Sequence, residues 1–240
     1  MKNLARTFLL AAALAACGQA QQEHHGDAAP PSAADAARTD ADFGLRLGLI
    51  EGHLMVGREL LAAGQTQNAL PHFGHPVREL YSDMLPVIAS RGGEQFDRDL
   101  IALEGLAAQG NTPAFAAAFD AALAKVHAAR ALIPAETWSS DAYILGIAAD
   151  TVSTASQEYR NAIVAGKIDS LVEYHDARGF LFYLSDLLAN HHGSDPRLAQ
   201  AAAITNELKG YLTPLTPPAA LPVTDAEFEA RAEALRQLVK

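Results

Sequence analysis

The chain has a single cysteine, Cys17, in 240 residues, and it is also poor in basic residues. One cysteine excludes disulfide bonds within the chain and metal clusters built from several thiolates. The 18 Lys and Arg residues are outnumbered by 28 Asp and Glu residues, which gives a formal net charge of −10. A chain without a basic stripe has nothing to neutralise a row of phosphates, so we expect no nucleic-acid partner.

The sequence also lacks the motifs of several enzyme classes. It contains no nucleophile elbow, Walker loop, dinucleotide-binding glycine pattern or zincin histidine pair. Neither an activated nucleophile nor a general acid–base pair can be identified. We therefore predict a binding protein rather than an enzyme, and an enzyme with a buried polar pocket is the least favoured alternative.

The N-terminus has the features of a secretory signal. Lys2 and Arg6 precede an apolar run over residues 8–16, which is too short to span a bilayer. The motif Leu14-Ala15-Ala16-Cys17 resembles the lipobox of bacterial lipoproteins. This resemblance implies removal of a signal peptide of residues 1–16 and acylation of Cys17, which would anchor the protein to a bilayer on the periplasmic side of the cell envelope. Gly18 after the cysteine favours the outer membrane, and a signal peptide with a chance cysteine is the alternative.

The remainder of the chain is predicted to be all-α. Residues 17–39 have almost no bulky apolar side chain, which indicates a disordered tether. Residues 40–212 contain repeated apolar stripes at helical spacing and favour an antiparallel up-down bundle of four to five long helices, with short helices at its periphery and no sheet. Residues 213–223 form a proline-rich linker, and a capping box opens a C-terminal helix over residues 224–240 that packs on the bundle.

The most unusual stretch, residues 71–81, contains two histidines, a glutamate and a tyrosine. A helix break is predicted at Gly74-His75-Pro76, with a new helix starting at the proline. His53 lies 11 residues before Gly64 and His75 lies 11 residues after it. If the chain folds back at this glycine, both histidines lie at the same height in a helical hairpin.

This geometry predicts a metal site at His53, His75 and Glu79. Imidazole and carboxylate together suit an ion of zinc, copper or iron. The supporting or alternate contributors that the sequence predicts are His72, Tyr81, Glu158 and His175. The alternative is purely structural, because histidines at helix ends often cap free backbone groups and a histidine on an apolar face often bonds a carbonyl.

A periplasmic helical bundle with such a site resembles, in architecture, the imelysin-like iron-uptake proteins. Their glycine-x-His-x-x-Glu signature is absent, because Gly52 directly precedes His53 and His75 is four residues from Glu79. The resemblance implies metal binding or delivery at the envelope. The rival hypothesis is a non-catalytic scaffold lipoprotein that binds another envelope protein and no metal.

Overall fold

The first helix begins at the start of the region that the computed structural model describes, residues 32–240. Helix α1 (Ala33–Ala62) is capped by Ser32, whose side chain accepts a hydrogen bond from the backbone N–H of Asp35. The prediction of a disordered tether is therefore wrong for residues 33–39, where this cap and several alanines extend the helix. The predicted signal peptide, Cys17 and the earlier part of the tether lie outside the described residues.

A tight turn at Gly64 folds α2 (Thr66–His75) back against α1. Gly64 has a φ of 74°, and the backbone N–H of Gln65 donates to the carbonyl of Leu60 at 2.8 Å. This is the usual end of a helix at a left-handed glycine. The turn gives the helical hairpin that the sequence predicts.

The helical backbone continues through Pro76, where the sequence predicts a break. Both His75 and Pro76 have right-handed helical backbone angles, and α2 runs into a π-helical turn (Pro76–Tyr81) and then α3 (Ser82–Ser90). A proline removes one backbone donor and crowds the carbonyl of the preceding turn. The wider π turn accommodates that defect without ending the helix, so the predicted break is wrong.

The N-terminal half is completed by α4 (Asp97–Ala107), α5 (Pro113–Arg130) and the short α6 (Ala135–Trp138). Helix α4 packs against α2, and α5 packs against α1 and α4. The rings of Phe73 and Phe115 meet edge to face with centroids 5.3 Å apart in this part of the core. These contacts hold α2 beside α1.

The C-terminal half consists of four further α-helices. They are α7 (Asp141–Asn161), α8 (Leu171–Asn190), α9 (Pro196–Tyr211) and α10 (Asp225–Arg236), followed by a 3₁₀ turn (Gln237–Val239). Helix α8 packs against α1, α7 and α9, and α10 packs against α7 and α9. The all-α helical bundle predicted from the sequence is confirmed.

One small β-hairpin joins α7 to α8. Strand β1 (Ile163–Val164) pairs antiparallel with β2 (Lys167–Ile168). Ala165 and Gly166 between them both have positive φ, at 50° and 74°, as a two-residue hairpin turn requires. The prediction of no sheet is therefore wrong by this one hairpin, whose strands are too short to show an alternating pattern.

The proline-rich segment after α9 is tied to the bundle by buried tyrosines. Tyr174 donates its hydroxyl to the carbonyl of Pro214 at 2.8 Å, and Tyr159 donates to the carbonyl of Val223 at 2.6 Å. Thr224 and Glu227 then form a reciprocal capping box at the start of α10. The segment thus runs in fixed contact with α7 and α8.

Helices α1 and α8 approach each other most closely at two glycines. A Cβ atom on Gly179 would overlap the carbonyl oxygen of Gly52, and one on Gly52 would lie 3.0 Å from the carbonyl oxygen of Gly179. Only glycine at both positions allows the two backbones to touch. The contact brings the turn after Gly52 against the turn before Gly179.

No helix within residues 32–240 combines the length and the apolar character needed to cross a membrane.

Replacement of Gly179 by alanine should force α1 and α8 apart. We expect Gly179→Ala to lower the free energy of unfolding by about 1–3 kcal/mol, the usual cost of overpacking, despite the better helix propensity of alanine. The control is Gly146→Ala in α7, where an added Cβ meets no atom within 4 Å and should stabilise by about 0.5–1 kcal/mol. Urea denaturation measures both; equal effects of the two variants would contradict the close contact.

Candidate metal centre

Three helices bring two histidines and one aspartate together. His53 comes from α1, His75 from the end of α2 and Asp176 from α8. One ligand atom from each residue lies within 4.8 Å of the other two. His53 Nδ1 is 2.8 Å from Asp176 Oδ1, and His75 Nδ1 is 3.4 Å from Asp176 Oδ2. We refer to these three residues as the inner cluster.

A third histidine, His72, also contacts Asp176. Its Nδ1 lies 2.7 Å from Asp176 Oδ1 in an aligned hydrogen bond. His53 is equally near, but its ring is not oriented for an aligned bond, and its Nδ1 has no hydrogen-bond partner within residues 32–240. Asp176 therefore accepts one good hydrogen bond and faces two further imidazoles.

The neighbouring histidines stabilise the charged form of Asp176. Burial alone would raise the pKa of this carboxyl group, but the charge of His53 and the contacts with His53, His72 and His75 outweigh burial and hold the pKa well below its usual range. The group is therefore an anion that is almost fully buried, since only 6% of its side chain is exposed. A buried anion is a natural partner for a cation.

The pKa values of the neighbouring histidines are shifted in opposite directions. The contact with Asp176 raises the pKa of His75, whereas burial lowers the pKa of His72 and of His175. His175 turns away from Asp176, because its Nε2 contacts the carbonyl of Leu215 at 2.8 Å. Deprotonated imidazole is the form that binds metal, and burial favours it at His72 and His175.

The inner cluster opens into a cavity of about 280 Å³. Its polar lining consists of His53, His75, Glu79, Thr154, Glu158, Glu173 and Asp176. Burial raises the pKa of Glu158, and the charges of Asp176 and Glu173 raise it further. We call Glu79, Glu158 and Glu173 the outer carboxylates.

Some of the site residues predicted from sequence line the cavity, and others do not contact the inner cluster closely. His53 and His75 meet, with ring centroids 5.3 Å apart, and Glu158 lines the same cavity. Glu79 lies at the cavity mouth, 3.8 Å from His75 Nε2, with 59% of its side chain exposed. The carboxylate that contacts both inner histidines is Asp176. Asp176 therefore takes the place of Glu79 in the predicted set of His53, His75 and Glu79.

Two further predictions are corrected. Tyr81 lies away from the centre, because its hydroxyl accepts the backbone N–H of Phe96 at 2.6 Å and its ring packs on that residue. His175 contacts the His72 ring, at 5.6 Å between centroids, rather than the cavity. The sequence predicts a helix break at this point, whereas a π turn over Pro76–Tyr81 sets the angular spacing of the residues after His75.

Asp176 and Glu173 were not predicted as site residues, although a signal for them exists. They are three residues apart on α8, so they share one face of the helix. The sequence instead predicts the neighbouring His175 as an alternate contributor, because it shares an inward helix face with apolar residues.

The donor set suits a first-row transition metal. Two imidazoles and one carboxylate on one side of an ion, with other positions open, form the arrangement typical of non-haem Fe(II), and zinc also accepts such ligands. Ligands about 2.1 Å from one ion lie no more than about 4.2 Å apart, and the ligand atoms of the inner cluster, all within 4.8 Å of one another, are close to meeting that limit. The fold and this cluster define a helical bundle with a candidate metal centre.

The comparisons with known proteins agree with that class. Residues 134–240, less than half of the chain, match the family described as the iron permease-associated 4-helix bundle domain. The matched region contains α7 to α10 and therefore Asp176 and two outer carboxylates. No curated protein and no solved structure matches the chain.

The raised pKa of His75 gives a test of the geometry in metal-free protein. We expect Asp176→Asn to lower the His75 pKa, because the contact with Asp176 is its largest cause. Glu79→Gln is the control and should lower it less, since Glu79 is more distant and mostly exposed. NMR titration of the imidazole ring protons measures both, and an unchanged His75 pKa in Asp176→Asn would contradict the contact.

The same shift predicts a pH dependence of stability. Because the folded-state pKa of His75 is raised, its protonation stabilises the fold below the ordinary value of about 6.5. This contribution is lost as the pH rises through the folded-state pKa. In Asp176→Asn that loss should disappear from the unfolding free energy measured between pH 6 and 8.

Proposed function

We propose that the protein binds iron as cargo at His53, His75 and Asp176 and delivers it at a membrane surface, without converting a substrate. The observation that carries this proposal is the convergence of three ligand atoms within 4.8 Å from α1, α2 and α8. These residues are 22 and 101 positions apart in the chain, so only the fold brings them together. Such a convergence of buried ligating groups is expected of a binding site.

Two independent considerations favour iron over zinc or copper. The inner cluster offers two nitrogens and one carboxylate, the donor set that suits Fe(II) with open coordination positions. The matched family is described as iron permease-associated. A domain that accompanies a permease would supply or receive the ion, and open positions on the ion would permit its transfer.

The proposal places the protein on a membrane through Cys17. The lipobox-like sequence before this residue would direct acylation, and several acyl chains bind a bilayer stably, at about 0.8 kcal/mol per buried CH₂ group. The outer membrane is favoured by Gly18. The expected partners are therefore the bilayer and, as source or recipient of the ion, another envelope protein.

Metal binding is tested on protein purified without a histidine tag. Under anaerobic conditions, Fe(II) at about 100 times its Kd should stabilise the protein by about 2.7 kcal/mol, which raises the melting temperature by about 5–10 °C. His53→Gln should weaken binding by at least about 100-fold, because even the loss of outer partners of a metal ligand costs 10–100-fold. Isothermal titration calorimetry and thermal melts measure the two effects.

The control for that experiment is His192→Gln, an exposed histidine after α8 that does not line the cavity. It should bind Fe(II) as the wild type does. Protein that binds no Fe(II), Zn(II) or Cu(II) stoichiometrically, with no thermal shift, would refute the proposal and leave the metal-free scaffold as the reading of this bundle.

Lipid anchoring is tested separately in cells. The wild type should incorporate radiolabelled palmitate and enter the detergent phase in a Triton X-114 partition. Cys17→Ser should incorporate none and remain in the aqueous phase, because it removes the only thiol. Palmitate incorporation into Cys17→Ser at the level of the wild type would contradict acylation at this residue.

A further inference from the structure

The cavity next to the inner cluster contains more negative charge than one metal ion balances. Four of its lining residues are carboxylates: Glu79, Glu158, Glu173 and Asp176. No Lys or Arg is among the residues that line it in the described part of the chain. With both inner histidines neutral, as ligands must be, one divalent cation would leave two negative charges without a counter-charge.

These carboxylates lie at different depths. Asp176 is 6% exposed at the inner end, Glu158 and Glu173 are half-buried, and Glu79 is 59% exposed at the mouth. Like charges held together in a partly closed cavity repel each other and cost stability. Water at the mouth screens Glu79, but it screens the deeper pair less.

Unsatisfied polar atoms face the same cavity. Glu173 Oε2 is fully buried and has no hydrogen-bond partner within residues 32–240. His53, only 4% exposed, has its Nδ1 atom 2.8 Å from Asp176 Oδ1 but makes no aligned hydrogen bond there. A buried polar atom without a partner costs about 1–3 kcal/mol, so the unpartnered Glu173 Oε2 points to a missing ligand among the outer carboxylates.

We propose that the cavity binds two cations, one at the inner cluster and a second, oxygen-coordinated cation at Glu158 and Glu173, with Glu79 as a contributor at the mouth. This inference rests on the proposed function, since the inner ion is the cargo already assigned. The chemistry of the second position follows from its donors, because an all-carboxylate site prefers a hard cation.

Two divalent cations would balance the four carboxylates and satisfy Glu173 Oε2. The donors also separate by type, with nitrogen at the inner end and oxygen at the outer end. Carboxylates and histidines that project inward from several helices are an established way for helical bundles to hold paired metal ions. The outer position lies between the inner cluster and solvent, so an ion bound there is positioned for transfer inward or outward.

The test counts ions per chain. Full-length protein is equilibrated anaerobically by dialysis with Fe(II) together with Mg(II), Ca(II) or Mn(II), and all bound metals are measured by mass spectrometry; two ions per chain are expected, bound in two steps. In Glu158→Gln/Glu173→Gln the count should fall to one, while the Kd of the remaining ion changes by less than about tenfold, the lower end for loss of an outer partner. Asp120→Asn/Glu136→Gln removes two exposed carboxylates elsewhere and should still bind two.

The number of bound ions distinguishes failure of this inference from failure of the proposed function. One ion per chain that depends on His53 would overturn this inference and leave the proposed function standing, whereas no bound ion would refute both. Two ions that persist in Glu158→Gln/Glu173→Gln would place the second ion outside this cavity and also overturn the inference.

A metal-free measurement provides a second readout. Without cations, Glu158→Gln/Glu173→Gln should melt at a higher temperature than the wild type, because the repulsion is removed. This result also shows that the variant folds. A lower melting temperature would contradict the claim that these carboxylates lack a counter-charge.

Discussion

A buried carboxylate surrounded by three imidazoles is the constraint on which the centre of this bundle depends. Asp176 must give up water, and the cost is several kcal/mol unless its neighbours compensate. His72 donates one aligned hydrogen bond to Asp176. His53 Nδ1 is equally close to the carboxylate but not aligned with it, and His75 Nδ1 lies farther away, at 3.4 Å. Helices α1, α2 and α8 must therefore remain together for the charge to be tolerated. The contact of Gly52 with Gly179 is what permits that approach.

The cluster of Asp176 and its histidines stabilises the fold less than an apolar core would. A buried ionic cluster is often less stabilising than apolar residues of the same volume. His53 Nδ1, His72 Nε2 and His75 Nδ1 make no aligned hydrogen bond in the described structure, and all three belong to imidazoles in contact with Asp176. Unsatisfied polar atoms are rare in folded proteins and tend to mark functional positions. Their concentration at one point of an otherwise apolar bundle favours binding over structure as their role.

Local rules account for the part of the site that sequence could predict. A glycine hinge midway between His53 and His75 gives a hairpin in which the two rings meet, because each histidine lies 11 residues from Gly64. Asp176 could not be placed that way, since α8 is distant in sequence and its register against α1 depends on the fit of Gly179 to Gly52. The π turn at Pro76 was equally inaccessible: proline predicts a defect, but tertiary packing decides whether the helix ends or widens.

The nitrogen and oxygen donors of the centre come from different halves of the chain. The match to the iron permease-associated bundle covers Asp176, Glu158 and Glu173 but neither His53 nor His75. The matched region therefore supplies the carboxylates, and the preceding helical hairpin supplies the imidazoles. Oxygen donors alone suit hard cations, while added imidazole shifts preference toward transition metals. Under the proposed function, the metal preference of the cavity would depend on how the hairpin packs on the bundle, because the matched segment lacks both inner histidines.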